Sequence, residues 1–390
     1  MEVKQSAFLT DKERYQILSV SVSGCIFGGA IGDALGYPVE FMRYKDILAE
    51  YGENGITEFD LRRSGKAEIS DDTQMTLYTA NGLLFGETRG HLRGIVARLT
   101  DYIFLAYKNW YSSQTAREVK TDERVCWVYN IKALRESRAP GSTCLNAIAT
   151  SEGKGSIEKG VNGSKGCGGV MRVAPIGCYY AKNDKLERLT AIIGAETAAL
   201  THCHPLGYIS AAFLSCLIYK TIRNKLESGK KELYILVNET LETVKDIYGE
   251  KPYYDEFEKI MQKAVRLSTE NYEDHRAIAM LGEGWVAEEA LAIAVYSALK
   301  HSGDFKKAVI CAVNHDGDSD STGAIAGNIL GAYLGLPEVD CSGELISKLE
   351  AYDVMYEISQ DLVNGCEMSE YGKYRDVKWI SKYVYCNYGE

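Results

Sequence analysis

The sequence predicts an all-α protein, read as a single compact multi-helix domain over residues 1–390. Three observations carry this. Gly24, Gly28, Gly32 and Gly36 recur every four residues, as do Gly323, Gly327, Gly331 and Gly335; each series therefore falls along one helical face. Only six prolines occur in the chain. Apolar residues recur at helical rather than alternating spacing, and no repeat, linker or strand-rich stretch interrupts them. The motif-bearing core spans about 11–340, and a C-terminal helix and Tyr-rich tail follow over about 341–390.

The glycine series need a packing reason, because glycine in a helix costs about 1 kcal/mol relative to alanine. Close approach of two helix backbones supplies one. If the two helices cross, Asp33 and Glu40 beside the first series converge with Asp318 and Asp320 at the head of the second.

Taken in order, residues 1–10 read as a loose start, and a helix runs from Asp11, as N-cap, to Gly36. Pro38 stops it, so Glu40 lies just beyond the helix end, free to reach into a site. Residues 44–69 read as a loop with short turns. Ser70 or Asp71 caps a helix extending to about Gly86. Two more helices are expected within 91–136, with Trp110 and Trp127 in the packing. A turn at 138–143 leads into a helix capped by Ser142 or Thr143. Further helices cover 183–201 and much of 206–270, broken by charged loops at 225–232 and 249–254. The segment from Gly282 opens a helix to about Lys300, with others at 304–313, through the second glycine series, and at 342–364.

Composition excludes several classes. Hydrophobic and charged fractions of 46% and 25% are ordinary for a globular chain. A net charge of −10 argues against nucleic-acid binding. The uncharged run Ser321–Pro337 is too short and too rich in glycine for a membrane span, so no membrane partner is expected. Eleven cysteines, an odd number without C-x-x-C spacing, read as reduced thiols. With no basic–apolar leader at the start, the expected location is cytoplasmic.

The chemistry concentrates in short oxygen-rich stretches. Asp316 to Thr322 holds three aspartates and three hydroxyls, followed at once by an almost uncharged helix. Carboxylates this close repel one another unless a cation compensates, and oxygen donors suit Mg²⁺, Mn²⁺ or Ca²⁺. Ser70-Asp71-Asp72-Thr73 is a second such cluster; acids in a first helical turn also simply complement the dipole. An EF-hand reading of the first cluster fails. With Asp316 as position 1, Gly323 is misplaced and Gly327 stands where the bidentate Glu belongs. Gly163, Gly166, Gly168 and Gly169 form a Gly-rich loop whose backbone N–H groups can turn toward an anion, with Arg172 nearby; it lacks the Walker pattern. His202 and His204, two apart, suit a loop, and the remaining histidines at 91, 275, 301 and 315 are too scattered to complete a zinc site.

Together, Gly32-Asp33-Ala34-Leu35-Gly36 with Pro38-Val39-Glu40, Ser70-Asp71-Asp72-Thr73, Gly168-Gly169-Val170-Met171-Arg172, Thr201-His202 and Gly317-Asp318-Ser319-Asp320-Ser321 resemble the ADP-ribosylglycohydrolase family, which includes the dinitrogen-reductase-activating glycohydrolases. The resemblance implies an all-α fold, a binuclear Mg²⁺/Mn²⁺ centre, and cleavage of the ribosyl bond joining ADP-ribose to a modified protein or small molecule. It implies Ser70, Asp71, Asp72, Asp318, Asp320 and Ser321 as metal ligands, with Asp320 bridging. Glu40 carries proton transfer and is grouped with Asp33 as catalytic. Asn162, Gly163, Ser164, Gly166, Gly168, Gly169, Met171 and His202 are the candidates for holding substrate. The family often has Gly-Gly before the D-x-D, whereas this chain has Asp316-Gly317. Asp316 is then either an outer-shell acid or part of the substrate's approach, where with Glu40 it would favour a cationic arginine leaving group. The expected activity is hydrolysis of mono-ADP-ribosyl-arginine. Alternatives are O-linked (serine) or polymeric ADP-ribose, or a non-catalytic ADP-ribose-binding protein on the same fold; retention of every candidate ligand favours the enzyme.

Overall fold

A computed structural model describes residues 9–115, 117–120, 123–227, 231–366 and 376–387. Most of the loose start expected at 1–10, and residues 367–375 and 388–390 of the Tyr-rich tail, lie outside these. Among the described residues there are eighteen α-helices and no strand. They are α1 (Asp11–Gly36), α2 (Tyr44–Tyr51), α3 (Asp71–Arg93), α4 (Leu99–Gln114), α5 (Ser142–Ser151), α6 (Ala174–Tyr180), α7 (Glu187–Ala199), α8 (Pro205–Leu226) and α9 (Leu233–Tyr248) in the first part. The second part holds α10 (Tyr254–Thr269), α11 (Asp274–Leu281), α12 (Ala287–Lys300), α13 (Phe305–Val313), α14 (Ser319–Leu334), α15 (Leu336–Val339), α16 (Glu344–Lys348), α17 (Tyr352–Asn364) and α18 (Val377–Val384).

The two glycine series do pack against each other, and the pairing is antiparallel. A Cβ placed on Gly24, Gly28 or Gly32 would lie 2.3, 2.3 or 2.0 Å from the carbonyl oxygen of Gly331, Gly327 or Gly323. In the reverse direction, Cβ atoms on Gly323, Gly327 and Gly331 would lie 2.5, 2.0 and 2.0 Å from the oxygens of Gly32, Gly28 and Gly24. Only glycine permits backbones this close. Gly335 continues the contact against the Val20 side chain, 2.6 Å from a Cβ placed there, and at φ +93° ends α14. α1 and α8 are long and apolar, but the most apolar windows are 83% and 89% buried, so their hydrophobicity serves the core.

Several boundaries differ from expectation, each for a physical reason. Thr10, not Asp11, caps α1: its hydroxyl accepts from Glu13 N (3.3 Å) while the Glu13 carboxylate accepts from Thr10 N (2.8 Å), a reciprocal capping box. α2 stands where only turns were expected in 44–69; Tyr44 N at its start donates to Asp316 Oδ1 (2.9 Å), a partner 272 residues away. α3 continues past Gly86 to Arg93. Gly82 and Gly86 are not stops but contact points for α4, since a Cβ on Gly82 would meet Ile103 Cα at 2.7 Å. Among the described residues of 91–136, α4 is the only full helix beyond the end of α3; Trp127–Asn130 and Ala133–Arg135 are single 3₁₀ turns. Trp110 and Trp127 are fully buried. Gly141, rather than Ser142 or Thr143, precedes α5. The helix expected over 342–364 is two, α16 and α17, separated at Ala351, whose φ is +53°.

The glycine contact yields a direct test. Gly28→Ala puts a methyl 2.3 Å from a backbone oxygen that cannot rotate away, so it should cost about 1–3 kcal/mol of stability in denaturant unfolding, the usual cost of overpacking. Gly303→Ala, at a glycine with nothing within 4 Å, should leave the midpoint close to the parent's. Equal midpoints for the two variants would contradict the packing reading.

Candidate metal centre

The antiparallel helix pair brings the acids together. Where α1 ends, α14 begins: a Cβ on Gly36 would lie 2.2 Å from Ser319 O and 2.7 Å from Asp320 Cα. From Gly36 the chain makes a 3₁₀ turn, Tyr37–Val39, with Pro38 near its start. This delivers Glu40 to Asp318 and Asp320. One carboxylate oxygen from each of these three lies within 4.8 Å of the others, and all three residues are buried.

α3 supplies the opposite acids. Ser70 caps it, its hydroxyl accepting from Asp72 N at 3.1 Å. The Asp33 carboxylate, reaching over from α1, accepts from Ser70 N (2.9 Å), Thr73 N (3.1 Å) and the Thr73 hydroxyl. Asp33 thus pins the start of α3 onto α1; it does not line the cleft, and its geometry is that of a positioning residue. Asp71 is held from the other side, its Oδ2 accepting from Gly141 N at 3.1 Å and its own N donating to Arg138 O at 3.0 Å. Arg138 is itself buried and paired with Glu350, Glu136 and Glu68. Two helix N-termini, of α3 and α14, therefore point at the acids, and their dipoles offset part of the repulsion.

These elements enclose a cleft of 380 Å³. Glu40, Asp71, Asp72, Asp318, Asp320 and Ser321 line it together with Gly166, Cys167, Gly168, Met171 and His202. Phe41 and Trp285 stack at its edge, with ring centroids 5.8 Å apart. No lysine or arginine is among its lining residues. Of the expected metal ligands only Ser70 does not line the cleft. Of the expected substrate-holding residues, Gly166, Gly168, Met171 and His202 line it, whereas Asn162, Gly163, Ser164 and Gly169 do not. Asn162 shapes the loop from behind, its amide donating to Thr201 O (2.7 Å) and its Oδ1 accepting from Ser164 N (3.0 Å). The loop is also tied to the segment before α12. Cys167 N donates to Trp285 O (3.2 Å), Ala287 N donates to Lys165 O (2.8 Å), and Lys165 pairs with Glu288.

Two expectations are corrected. Arg172 does not face the cleft: it is fully buried beneath it, donating to the Thr201 hydroxyl at 2.6 Å, with its guanidinium 4.4 Å from the Tyr107 ring centre. It acts as a fixed positive charge behind Asp71 and His202. Burial, with Arg172 adding to it, pushes His202 down to about 3, so the imidazole facing the cleft is neutral. Asp316 does not line the cleft either. It is spent on the N-terminus of α2, in a separate depression with Tyr44, His275 and Glu283, and so contributes nothing to the approach of a leaving group. His204 caps α8, its Nδ1 accepting from Leu206 N at 3.2 Å. Sequence reading assigned no role to Phe41, Cys167 or Trp285. Phe41 directly follows Pro38-Val39-Glu40, Cys167 lies within the Gly-rich loop and Trp285 in the segment from Gly282, but only the fold shows which way they face.

The electrostatics call for a cation. Burial is the first cause pushing up Asp33, Glu40, Asp71, Asp72, Asp318 and Asp320 alike; mutual repulsion adds to it at most of them. Asp33 is raised to about 7 and Glu40 to about 10. Asp72 Oδ1 and Glu40 Oε2 are buried with no hydrogen-bond partner, an arrangement that costs stability when left uncompensated. Hard oxygen donors converging from three segments fit Mg²⁺ or Mn²⁺. A second grouping, Asp274, His301 and Cys311, also lies within 4.8 Å, but there the Asp274 oxygens already accept from the Tyr296 hydroxyl (2.8 Å) and pair with His301 Nε2 (2.9 Å).

A pH dependence follows. Unfolded carboxyls titrate near 4, whereas folded Asp33 and Glu40 hold protons to about 7 and about 10. Between those values the folded state binds more protons than the unfolded one, so stability falls as pH rises. For protein stripped with chelator, the thermal midpoint should drop from about pH 5 to about pH 8, and Mg²⁺ or Mn²⁺ should remove most of the drop. A flat or rising midpoint in the chelated protein would contradict the buried-acid reading.

Comparison with known proteins agrees with this architecture. The ADP-ribosylglycohydrolase family pattern matches residues 16–372. The ADP-ribosyl-dinitrogen reductase glycohydrolase of Rhodospirillum rubrum is 26% identical over 329 residues, covering 84% of this chain and 89% of that protein. ADP-ribosylhydrolase ARH3 of Bos taurus is 23% identical over 365 residues, covering 87% and 91%. A solved structure described as an ADP-ribosylglycohydrolase-related protein complex shares the fold with a TM-score of 0.58 at 21% identity, covering 90% of this chain and 99% of that one. The chain belongs to the ADP-ribosylglycohydrolase family.

Proposed function

We propose that this protein is a metal-dependent hydrolase that cleaves the bond between ADP-ribose and a modified group, with mono-ADP-ribosyl-arginine as its substrate. The observation that carries the reading is the cleft. Five buried carboxylates, Glu40, Asp71, Asp72, Asp318 and Asp320, converge on it, and two of their oxygens have no partner within the protein. The family resemblance supports the substrate class, since relatives are named for removing ADP-ribose from dinitrogen reductase and as ADP-ribosylhydrolases.

Each residue has a distinct task. Asp71, Asp72, Asp318, Asp320 and Ser321 would hold two divalent cations. Bound there, the cations would polarise a water and anchor the ribose hydroxyls. Glu40 sits closest to where α1 delivers the chain into the cleft, with Oε2 unpartnered, and moves the proton that the reaction requires. The backbone of Gly166 and Gly168 and the neutral His202 form the wall against which the ADP-ribose lies. Asp33 keeps Asp71 and Asp72 aimed inward through its contacts with Ser70 and Thr73. Support for arginine comes from charge: a guanidinium leaving group meets acids and no basic side chain in this cleft.

Three measurements test the reading. Glu40→Gln should retain ADP-ribose binding and lose about 10²–10⁴-fold in kcat. Turnover near the parent's would remove Glu40 from the chemistry. Asp320→Ala should lose activity together with at least one bound ion per chain; full occupancy and full rate would sink the assignment. An arginine-linked mono-ADP-ribosyl peptide should turn over faster than a serine-linked one, and the opposite order would select the O-linked alternative.

A further inference from the structure

The oxygen-rich cleft contains one soft donor that the hydrolytic reading leaves unused. Cys167 opens the short 3₁₀ turn Cys167–Gly169 and lines the cleft. Its Sγ lies 2.7 Å from Asp318 Oδ2. The backbone around it is fixed: its N donates to Trp285 O at 3.2 Å, and its O accepts from Val170 N at 2.9 Å and Met171 N at 3.2 Å. The loop that carries the thiol is therefore held beside Asp318. Asp72 lines the same cleft, 2% exposed, with a buried Oδ1 that has no partner. The Cys167 sulfur and an Asp318 oxygen touch, and Asp72 with its unpartnered Oδ1 lines the same cleft, so soft and hard donors share it. Ligand softness predicts what such a set selects. Mg²⁺ and Mn²⁺ favour oxygen donors over thiolate, whereas Zn²⁺, Cd²⁺ and Co²⁺ readily take thiolate.

We propose that Cys167 is a further ligand of the candidate metal centre, its sulfur joining Asp318 when a soft divalent ion enters. This rests on the reading of the cleft as a metal centre. The exchange balances simply: the S–H bond breaks, a metal–sulfur bond forms, and the proton leaves to solvent, with no change in oxidation state. The proton shared between Sγ and Asp318 Oδ2 is the one replaced. The consequence is a centre that thiophilic ions occupy in competition with Mg²⁺ or Mn²⁺, so that Zn²⁺ or Cd²⁺ inhibits the protein.

Cobalt substitution tests this without relying on activity. Chelator-stripped full-length protein is loaded with Co²⁺ and its near-ultraviolet spectrum recorded. The expected result is a thiolate-to-cobalt charge-transfer band that is lost in Cys167→Ser, retained in Cys311→Ser, and absent from Asp320→Ala. Cys311→Ser controls for the Asp274–His301–Cys311 grouping. Co²⁺ bound without the band, or a band that survives Cys167→Ser, overturns the role of Cys167 while leaving the metal centre standing. No Co²⁺ bound at all overturns the metal centre and this proposal with it. A second readout needs no variant. In the parent protein Cd²⁺ should block alkylation of Cys167, read by peptide mass spectrometry, at concentrations where Mg²⁺ does not. Equal alkylation in both ions would overturn the proposal.

Discussion

The antiparallel contact between α1 and α14 is the constraint on which the rest depends. It is made of backbone against backbone, with the Gly28 and Gly327 pair so close that a Cβ on either would overlap the other's carbonyl oxygen. Such a contact cannot slide by a residue, because the next register would place Cys25 or Phe27 against the partner backbone. Register therefore fixes which residues meet at the end of the pair. Gly36 meets Ser319, so Glu40, four residues later, arrives beside Asp318 and Asp320. Precision at the site is bought with glycine, which otherwise weakens a helix.

The site lives with an electrostatic conflict that the fold only partly relieves. Two helix N-termini, the Gly141 and Ser321 backbone N–H groups, and the buried Arg172 behind Asp71 all favour ionised acids. Burial and mutual repulsion outweigh them, and the acids are held above their ordinary range. Protons or cations must resolve the remainder. Asp33 shows how the conflict is organised: its oxygens are spent on Ser70 and Thr73, so it shapes the cluster from outside the cleft.

Much of this was legible in the sequence, for a specific reason. Glycine at four-residue spacing has few explanations, so the stripes announced both a helix pair and its partner. Adjacent acids and hydroxyls ahead of apolar helices marked two oxygen-rich clusters, and the family resemblance joined Asp71, Asp72, Asp318 and Asp320 in one centre. What was not legible depends on tertiary partners. α2 is short and takes its cap from Asp316, far away in the chain; Tyr44, Ile47, Leu48 and Tyr51 do recur at helical spacing, but over barely two turns. Gly86 reads as a helix stop, yet α4 packs on it and α3 continues. Arg172 follows a Gly-rich loop, which suggests an anion ligand, but the turn directs it into the core against Tyr107. Asp316 was read as either an outer-shell acid or part of the substrate's approach, yet Gly317, at φ +126°, turns the chain between it and Asp318 so that the two line different depressions.

The central claim is that the converging acids of α1, α3 and α14 are a metal centre. Anomalous diffraction from crystals grown with Mn²⁺ tests it most directly. The account predicts two strong peaks within the cleft, flanking Asp320 and within coordination distance of Asp71, Asp72 and Asp318. A cleft without a peak in crystals where the Mn²⁺ signal appears elsewhere, for example at Asp274 and His301, would contradict it.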